Sequence, residues 1–309
     1  MASADDLKGL FTPVLTPFTK NLDTDTDSFV AFCKWLVSQG SGLAPFGTTS
    51  EANSLSVEEK LELLDRLIDA GIPANRIIPG NGACAFPDAV RMSVAAARHG
   101  CAATLMLPPF YYKGVSDDGL FRAYAEVIER VGSSDFRVCL YHIPQVSNVG
   151  LSVALIERLV ARYPDTVVGL KDSSGDWDNT KAVIDAVPGF KVFPGAETFL
   201  LRGMRAGAAG CISATANINP AKIAELAANW RDDDADARQA ELDSVRAAVV
   251  DYAPIPAMKA IIALATGKQE LKHVRPPLMD MGDDAAIALR GVLSGLGIDL
   301  PGLADAMNA

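Results

Sequence analysis

Thr166-Val167-Val168-Gly169-Leu170-Lys171-Asp172 is a short run of β-branched and aliphatic residues closed by a lysine and an aspartate. Such a run predicts a buried strand. An ammonium at the end of a buried strand is desolvated, which disfavours its charged form and leaves an amine suited to attack a carbonyl. The competing reading is a strand-end lysine that reaches solvent, and position alone favours it. What surrounds Lys171 decides between the two.

Outward from this run, the same pattern recurs along the chain. Strand-like stretches fall at 9–15, 42–46, 76–79, 102–107, 137–142, 166–171, 191–194 and 210–213, each followed by an amphipathic segment. Units of very roughly 25 to 30 residues are those of a β/α repeat. Helix starts are marked locally. Ser56 with Glu59 forms a capping box before Leu61, Leu63 and Leu64, and Asn219-Pro220 sets a proline in the first turn before Ile223 and Leu226. Eight units predict an α/β fold of the (β/α)8 TIM-barrel type over residues 1–230. After the acidic loop Arg231-Asp232-Asp233-Asp234 no strand follows, and three helical segments at 235–250, 255–266 and 283–296 predict a helical extension over residues 231–309.

Composition narrows the partners. The 309 residues are 49% hydrophobic and carry a formal net charge of -10, which opposes binding to nucleic acid or an anionic membrane surface. Five scattered cysteines suggest neither a disulfide framework nor a zinc site. His99, His142 and His273 fall on different elements without ligand spacing, so no metal is expected. Gly80-Asn81-Gly82-Ala83-Cys84-Ala85 superficially fits a dinucleotide loop, yet the next strand ends in Pro108-Pro109 without the acidic residue a ribose needs. No cofactor is therefore expected. Met1-Ala-Ser-Ala-Asp-Asp lacks a basic or apolar leader, and no run approaches the roughly 18 apolar residues of a membrane span, which suggests a cytoplasmic protein.

In a barrel of this kind the chemistry sits at the carboxyl ends of the strands. Three features lie there. Gly47-Thr48-Thr49-Ser50-Glu51 follows the second strand, and its glycine, hydroxyls and amides could cup a small carboxylate or simply cap the next helix. Tyr141 closes the fifth predicted strand as a candidate proton relay or an amphipathic packing residue. Lys171 closes the sixth. Tyr141 and Lys171 are 171 − 141 = 30 positions apart, one β/α unit, so their side chains can converge from adjacent strands. By strand alternation His142 and Asp172 face the other way.

Gly47-Thr48-Thr49-Ser50-Glu51, Tyr141-His142-Ile143-Pro144 and Gly169-Leu170-Lys171-Asp172-Ser173-Ser174-Gly175-Asp176 together resemble the signatures of the dihydrodipicolinate synthase / N-acetylneuraminate lyase superfamily of class I aldolases. The resemblance spans roughly residues 7–281, including Arg275-Pro276-Pro277-Leu278. It implies that Lys171 forms a Schiff base with pyruvate or a longer 2-keto acid, that Tyr141 relays protons, and that Thr48 and Thr49 hold the carboxylate, with Gly47 shaping their loop. It further implies a substrate site that includes Ser173, Gly195, Glu197 and Ile212. Tyr111, in Phe110-Tyr111-Tyr112, corresponds to a tyrosine that completes the relay across a tight dimer, within a homotetramer.

One departure bears on substrate. The synthases carry an arginine five positions after the relay tyrosine, where this chain has Val146. A buried carboxylate without a cationic partner is costly, so Val146 argues against condensation of pyruvate with aspartate semialdehyde. Gly195-Ala196-Glu197-Thr198 resembles the loop that binds the polyol tail in sugar-acid lyases, which favours an unphosphorylated hydroxylated 2-keto acid of the 2-keto-3-deoxy sugar-acid type. Glu197 could equally stabilise a helix N-terminus. A dehydratase or deaminase using the same imine, and a catalytically silent keto-acid-binding barrel, are the alternatives.

Overall fold

The computed structural model describes residues 7–308. The Met1–Asp6 stretch, read above as carrying no leader, lies outside them. Seven named strands, β1 (Gly9–Thr12), β2 (Gly42–Leu43), β3 (Thr104–Met106), β4 (Val138–His142), β5 (Val167–Asp172), β6 (Lys191–Pro194) and β7 (Gly210–Ile212), are all parallel where they pair. They run in the orders β2-β1-β7 and β3-β4-β5-β6. Two seams join these sheets. At one, residues 77–80 bridge Leu43 to Ile77 and Gly80 to Leu105, with Ile78 N donating to Leu43 O (2.8 Å) and Leu105 N to Pro79 O (2.9 Å). At the other, Ala209 N donates to Val192 O at 2.9 Å. The barrel is thereby closed with eight staves.

The stave expected at 76–79 differs from the others. Ala74–Arg76 coils into a 3-10 turn, and the extended segment starts one residue later. Its end is fixed by close approach, since a Cβ on Gly80 would come within 2.2 Å of the Phe46 carbonyl oxygen. Only glycine fits there.

Why the strands read as continuous apolar runs is plain from their two faces. Phe11, Ile78, Leu105, Cys139, Phe193 and Ile212 fill the barrel interior, with the Phe11 and Phe193 rings edge-to-face at 5.8 Å. Leu140, Leu170 and Val192 point outward into a second apolar layer with Tyr124 and Val127 of α4 (Asp117–Val131) and Leu155 and Leu159 of α6 (Val153–Arg162). The helices between are α1 (Thr26–Ser38), α2 (Val57–Asp69), α3 (Phe86–His99), α5 (Pro144–Ser147), α7 (Trp177–Ala186), α8 (Leu200–Ala206) and α9 (Pro220–Ala228). The Ser56–Glu59 capping box forms as the sequence predicts.

Beyond Trp230 the chain forms α10 (Ala235–Val250), α11 (Pro254–Thr266), α12 (Asp283–Gly295) and α13 (Leu303–Asn308). The fourth helix was not expected: six residues are too few to show a helical period. These helices share one apolar cluster with the start of the barrel, where Ile261, Leu289 and Leu303 meet Phe29, Phe32 and Leu36 of α1 and Leu63 of α2. Among the described residues no single helix is long and apolar enough to cross a membrane.

Candidate active site

The register of β4 against β5 pairs Tyr141 with Lys171 and His142 with Asp172. In parallel strands such partners project from the same face. Tyr141 and Lys171 therefore point together into the carboxyl end of the barrel, both almost wholly buried. Lys171 Nζ lies 3.3 Å from the Tyr141 hydroxyl, which lies 3.2 Å from Thr48 Oγ1. The amine also sits 4.4 Å from the centroid of the tyrosine ring. Amine, phenol and hydroxyl thus form one continuous chain. Burial pushes the Cys139 thiol on the same strand up to about 12, so it stays protonated and offers no competing nucleophile.

The opposite pair faces away. Asp172 accepts from Thr180 Oγ1 (2.7 Å), Asn179 Nδ2 (2.9 Å) and Ser174 N (2.9 Å), which locks the β5–α7 turn. His142 Nδ1 accepts from Leu151 N at 3.0 Å, and burial lowers its pKa against an opposing pull from Asp172.

The loop after β2 is held from an unexpected direction. Thr48–Ser50 is a single 3-10 turn, followed by Glu51 in the left-handed region at φ 56. That conformation costs a non-glycine residue about 1 kcal/mol or more, and it aims the Glu51 carboxylate at α11. There Lys259 Nζ meets it at 2.5 Å, with both side chains buried, and Arg275 N donates to its other oxygen at 2.8 Å. Lys259 also donates to His273 O at 2.8 Å and lies 4.1 Å from the Phe18 ring centroid. Burial pulls the Lys259 ammonium down to about 8, opposed by Glu51. The helical extension thus clamps the base of the Thr48-Thr49 cup.

A cavity of about 350 Å³ opens above Lys171, lined by Thr48, Thr49, Tyr141, Gln145, Ser173 and Gly195 together with Phe199, Ala214, Arg246 and Pro254. This lies at the small end of ligand pockets, roughly 300–1,000 Å³. A larger cavity, about 690 Å³ between α1 and α2, is lined by Asp27, Lys34 and Arg66, and holds no convergent nucleophile and proton relay. The strand-end cavity is the candidate site.

The profile of the Dihydrodipicolinate synthetase family matches residues 6–295. The chain belongs to that family. It is 34% identical, over 92% of its length and 95% of the relative's, to an uncharacterized DapA-like lyase of Chloroflexus aurantiacus. It is 30% identical to the 4-hydroxy-tetrahydrodipicolinate synthase of Acidiphilium cryptum, over 94% of this chain and 98% of that one. Among solved structures, the dihydrodipicolinate synthase of Agrobacterium tumefaciens superposes with a TM-score of 0.86 at 32% identity, covering 93% of this chain and 99% of that one. The fold is the TIM barrel of this family, and the protein is a lyase of its class.

Against the family pattern, the sequence-predicted residues separate into groups. Lys171, Tyr141, Thr48, Thr49, Ser173 and Gly195 come together at the cavity. Gly195 packs so tightly that an added Cβ would meet Ser173 Oγ at 2.1 Å. Gly47 lies behind the cup, its carbonyl accepting from Ser50 N. Ile212 is fully buried in the interior layer with Phe11 and Phe193 and does not line the cavity. Glu197 is buried too, and its oxygens accept from Ser213 Oγ and Thr215 Oγ1, which leaves them engaged within the protein. Tyr111 is 73% exposed and stacks edge-to-face on Tyr112, outside the cavity of its own chain. Val146 is exposed on α5. Sequence reading missed Arg246, Phe199 and Pro254. Arg246 brings a guanidinium to the cavity from a direction other than Val146, where the synthases carry theirs. Its one signal is position: it follows Leu242 by four residues and Val245 by one, on the edge of the buried stripe of α10.

Proposed function

We propose that this protein is a Schiff-base lyase that cleaves a hydroxylated 2-keto acid of the 2-keto-3-deoxy sugar-acid type to pyruvate and an aldehyde. The observation that carries this reading is the buried chain from Lys171 Nζ through Tyr141 OH to Thr48 Oγ1. Lys171 Nζ attacks the C2 carbonyl, Tyr141 gives its phenolic proton to the departing hydroxyl, water leaves, and a protonated imine forms beside the phenolate. The C4 hydroxyl gives its proton to Tyr141 as the C3–C4 bond breaks. The electron pair moves into the imine as an enamine, and C4 departs as an aldehyde. Return of the proton to C3 and attack of water on the imine release pyruvate and the free amine. Thr48 and Thr49 hold the C1 carboxylate with neutral donors, and no cofactor is required.

In this reading Tyr111 serves the relay of a neighbouring subunit, which calls for a tight dimer within a homotetramer. A cytoplasmic setting suits five unpaired cysteines. Loss of water or ammonia from the same imine would use the same residues. Condensation of pyruvate with aspartate semialdehyde is the second reading, favoured by the synthase names of the relatives at about 30% identity.

The test is the intact mass after borohydride reduction in the presence of pyruvate and of longer 2-keto acids, with Lys171→Ala as control. A pyruvate-sized adduct from both pyruvate and a longer hydroxy acid is the expected result. No Lys171-dependent adduct with any acid would leave the silent binding barrel as the better account.

A further inference from the structure

Arg246 enters the cavity from α10, on the wall built by the loops after β6 and β7. It is only a third exposed. Its neighbour Glu197 stands 3.9 Å away, beyond hydrogen-bond distance. The Glu197 oxygens already accept from the Ser213 and Thr215 hydroxyls, and its backbone carbonyl accepts from Gln239 Nε2 of α10 at 3.0 Å. Gln239 also accepts from Leu201 N at 3.0 Å, so α10 is fastened to the β6 loop and to the start of α8 about two turns before the arginine. Among the described residues, this long contact to Glu197 is the ion pair that Arg246 makes. A guanidinium carries five donors in a rigid fork that matches a carboxylate. Here the fork is positioned, partly desolvated and left with its donors largely unused.

We propose that Arg246 is the specificity-determining residue for the far end of the substrate, and that this end is a carboxylate. The substrate is then a 2-keto acid with a second acid group at its other terminus, of the 3-deoxy-2-keto aldaric type. This rests on the Schiff-base reading above and adds the charge of the tail to it. Lys171 and the Thr48-Thr49 cup take the keto-acid head, while the wall of α10 and the β6 loop takes the tail. The buried Glu197 charge behind Arg246 suits a singly charged group and opposes a phosphate dianion. Half-buried Phe199 and Ala214 line the cavity with it and shield part of the fork, which strengthens a charge-assisted pair.

Imine trapping with borohydride measures this directly. The probes are 2-oxoadipate and 6-hydroxy-2-oxohexanoate, which share a chain length and differ in a terminal carboxylate against a hydroxyl. In the unmodified protein the dicarboxylate should reach half-trapping at a concentration roughly 10- to 100-fold lower. Arg246→Gln should bring the ratio near one, and Arg246→Lys should retain part of it. A ratio near one in the unmodified protein, an unchanged ratio in Arg246→Gln, or tighter trapping of a 6-phosphorylated acid would each overturn the assignment. Pyruvate separates the two levels of the argument. A pyruvate adduct without a dicarboxylate preference removes only the Arg246 subsite, whereas no Lys171-dependent pyruvate adduct removes the Schiff-base reading and this inference together.

Discussion

The two ends of the cavity are built by different means. At the head, Tyr141 and Lys171 sit in register on neighbouring parallel strands, and Thr48 follows the end of another strand. Hydrogen-bonded strand geometry fixes the backbone positions from which the Tyr141 and Lys171 side chains project, so their separation cannot drift with the helices. At the tail, Arg246, Phe199 and Pro254 come from α10, a 3-10 turn and the start of α11. Helix packing sets their distance, through Gln239 and the Glu197 cluster. A barrel of this construction can keep its chemistry fixed while its far wall is revised by substitutions on helices outside the strands.

The largest effects should follow from breaking the head. Lys171→Ala is expected to abolish imine trapping and turnover together, with the fold retained by circular dichroism. Retained turnover would place the nucleophile elsewhere. Tyr141→Phe keeps the ring above the amine and removes only the hydroxyl that bridges to Thr48. Its kcat should fall about 10²–10⁴-fold, while pyruvate-dependent trapping slows without disappearing. An unchanged kcat would make Tyr141 a packing residue.

The head loop is itself braced by the extension, so the contrast between the ends has a physical limit that the Glu51–Lys259 pair can expose. Lys259→Met leaves Glu51 buried beside the Arg275 amide alone. Losing one partner of a buried pair costs roughly 3–5 kcal/mol, readable by chemical denaturation. The KM for pyruvate should rise as the Thr48-Thr49 cup loosens. A loss of stability with an unchanged KM would show that the clamp supports the fold without shaping the cup. Gly195→Ala tests the junction of the two ends. The new methyl would collide with the Ser173 side chain and backbone, and overpacking of this kind costs about 1–3 kcal/mol. Longer keto acids should bind more weakly in it, with pyruvate less affected.

The same difference in construction explains what could be read in advance. Lys171 and Tyr141 were legible because strand period and β/α repeat length are local properties of the chain, and 30 positions amount to one unit. Glu197 was misleading for the opposite reason. Its acidic side chain follows a strand as a substrate-binding residue would, but Ser213 and Thr215, 16 and 18 positions downstream, occupy its oxygens. Arg246 could not be placed, because its route into the cavity depends on how α10 lies against the β6 loop, and no short-range pattern encodes that. Periodicity places the 77–80 stave one residue early, since the 3-10 turn at Ala74–Arg76 and the contact of Gly80 with Phe46 are set by neighbours.

The smallest effect should come from His142, and it separates the two faces of one strand. Its ring adjoins Tyr141 in sequence but accepts from Leu151 N on the outer side. Burial lowers its pKa, partly offset by Asp172, so the folded state favours the neutral ring. Between the ordinary value, about 6.5, and the lowered folded value, the unfolded chain binds more protons. Stability is therefore full above about pH 6.5 and falls as the pH drops through that window. His142→Asn keeps an acceptor for Leu151 N and removes the titration. Its stability at neutral pH should change by less than about 1 kcal/mol, and the slope on the acid side should flatten. Pyruvate trapping by Lys171 should persist, because the ring lies outside the cavity. A variant that kept the acid slope would assign it to another group, and one that lost trapping would join the two faces that the strand geometry divides.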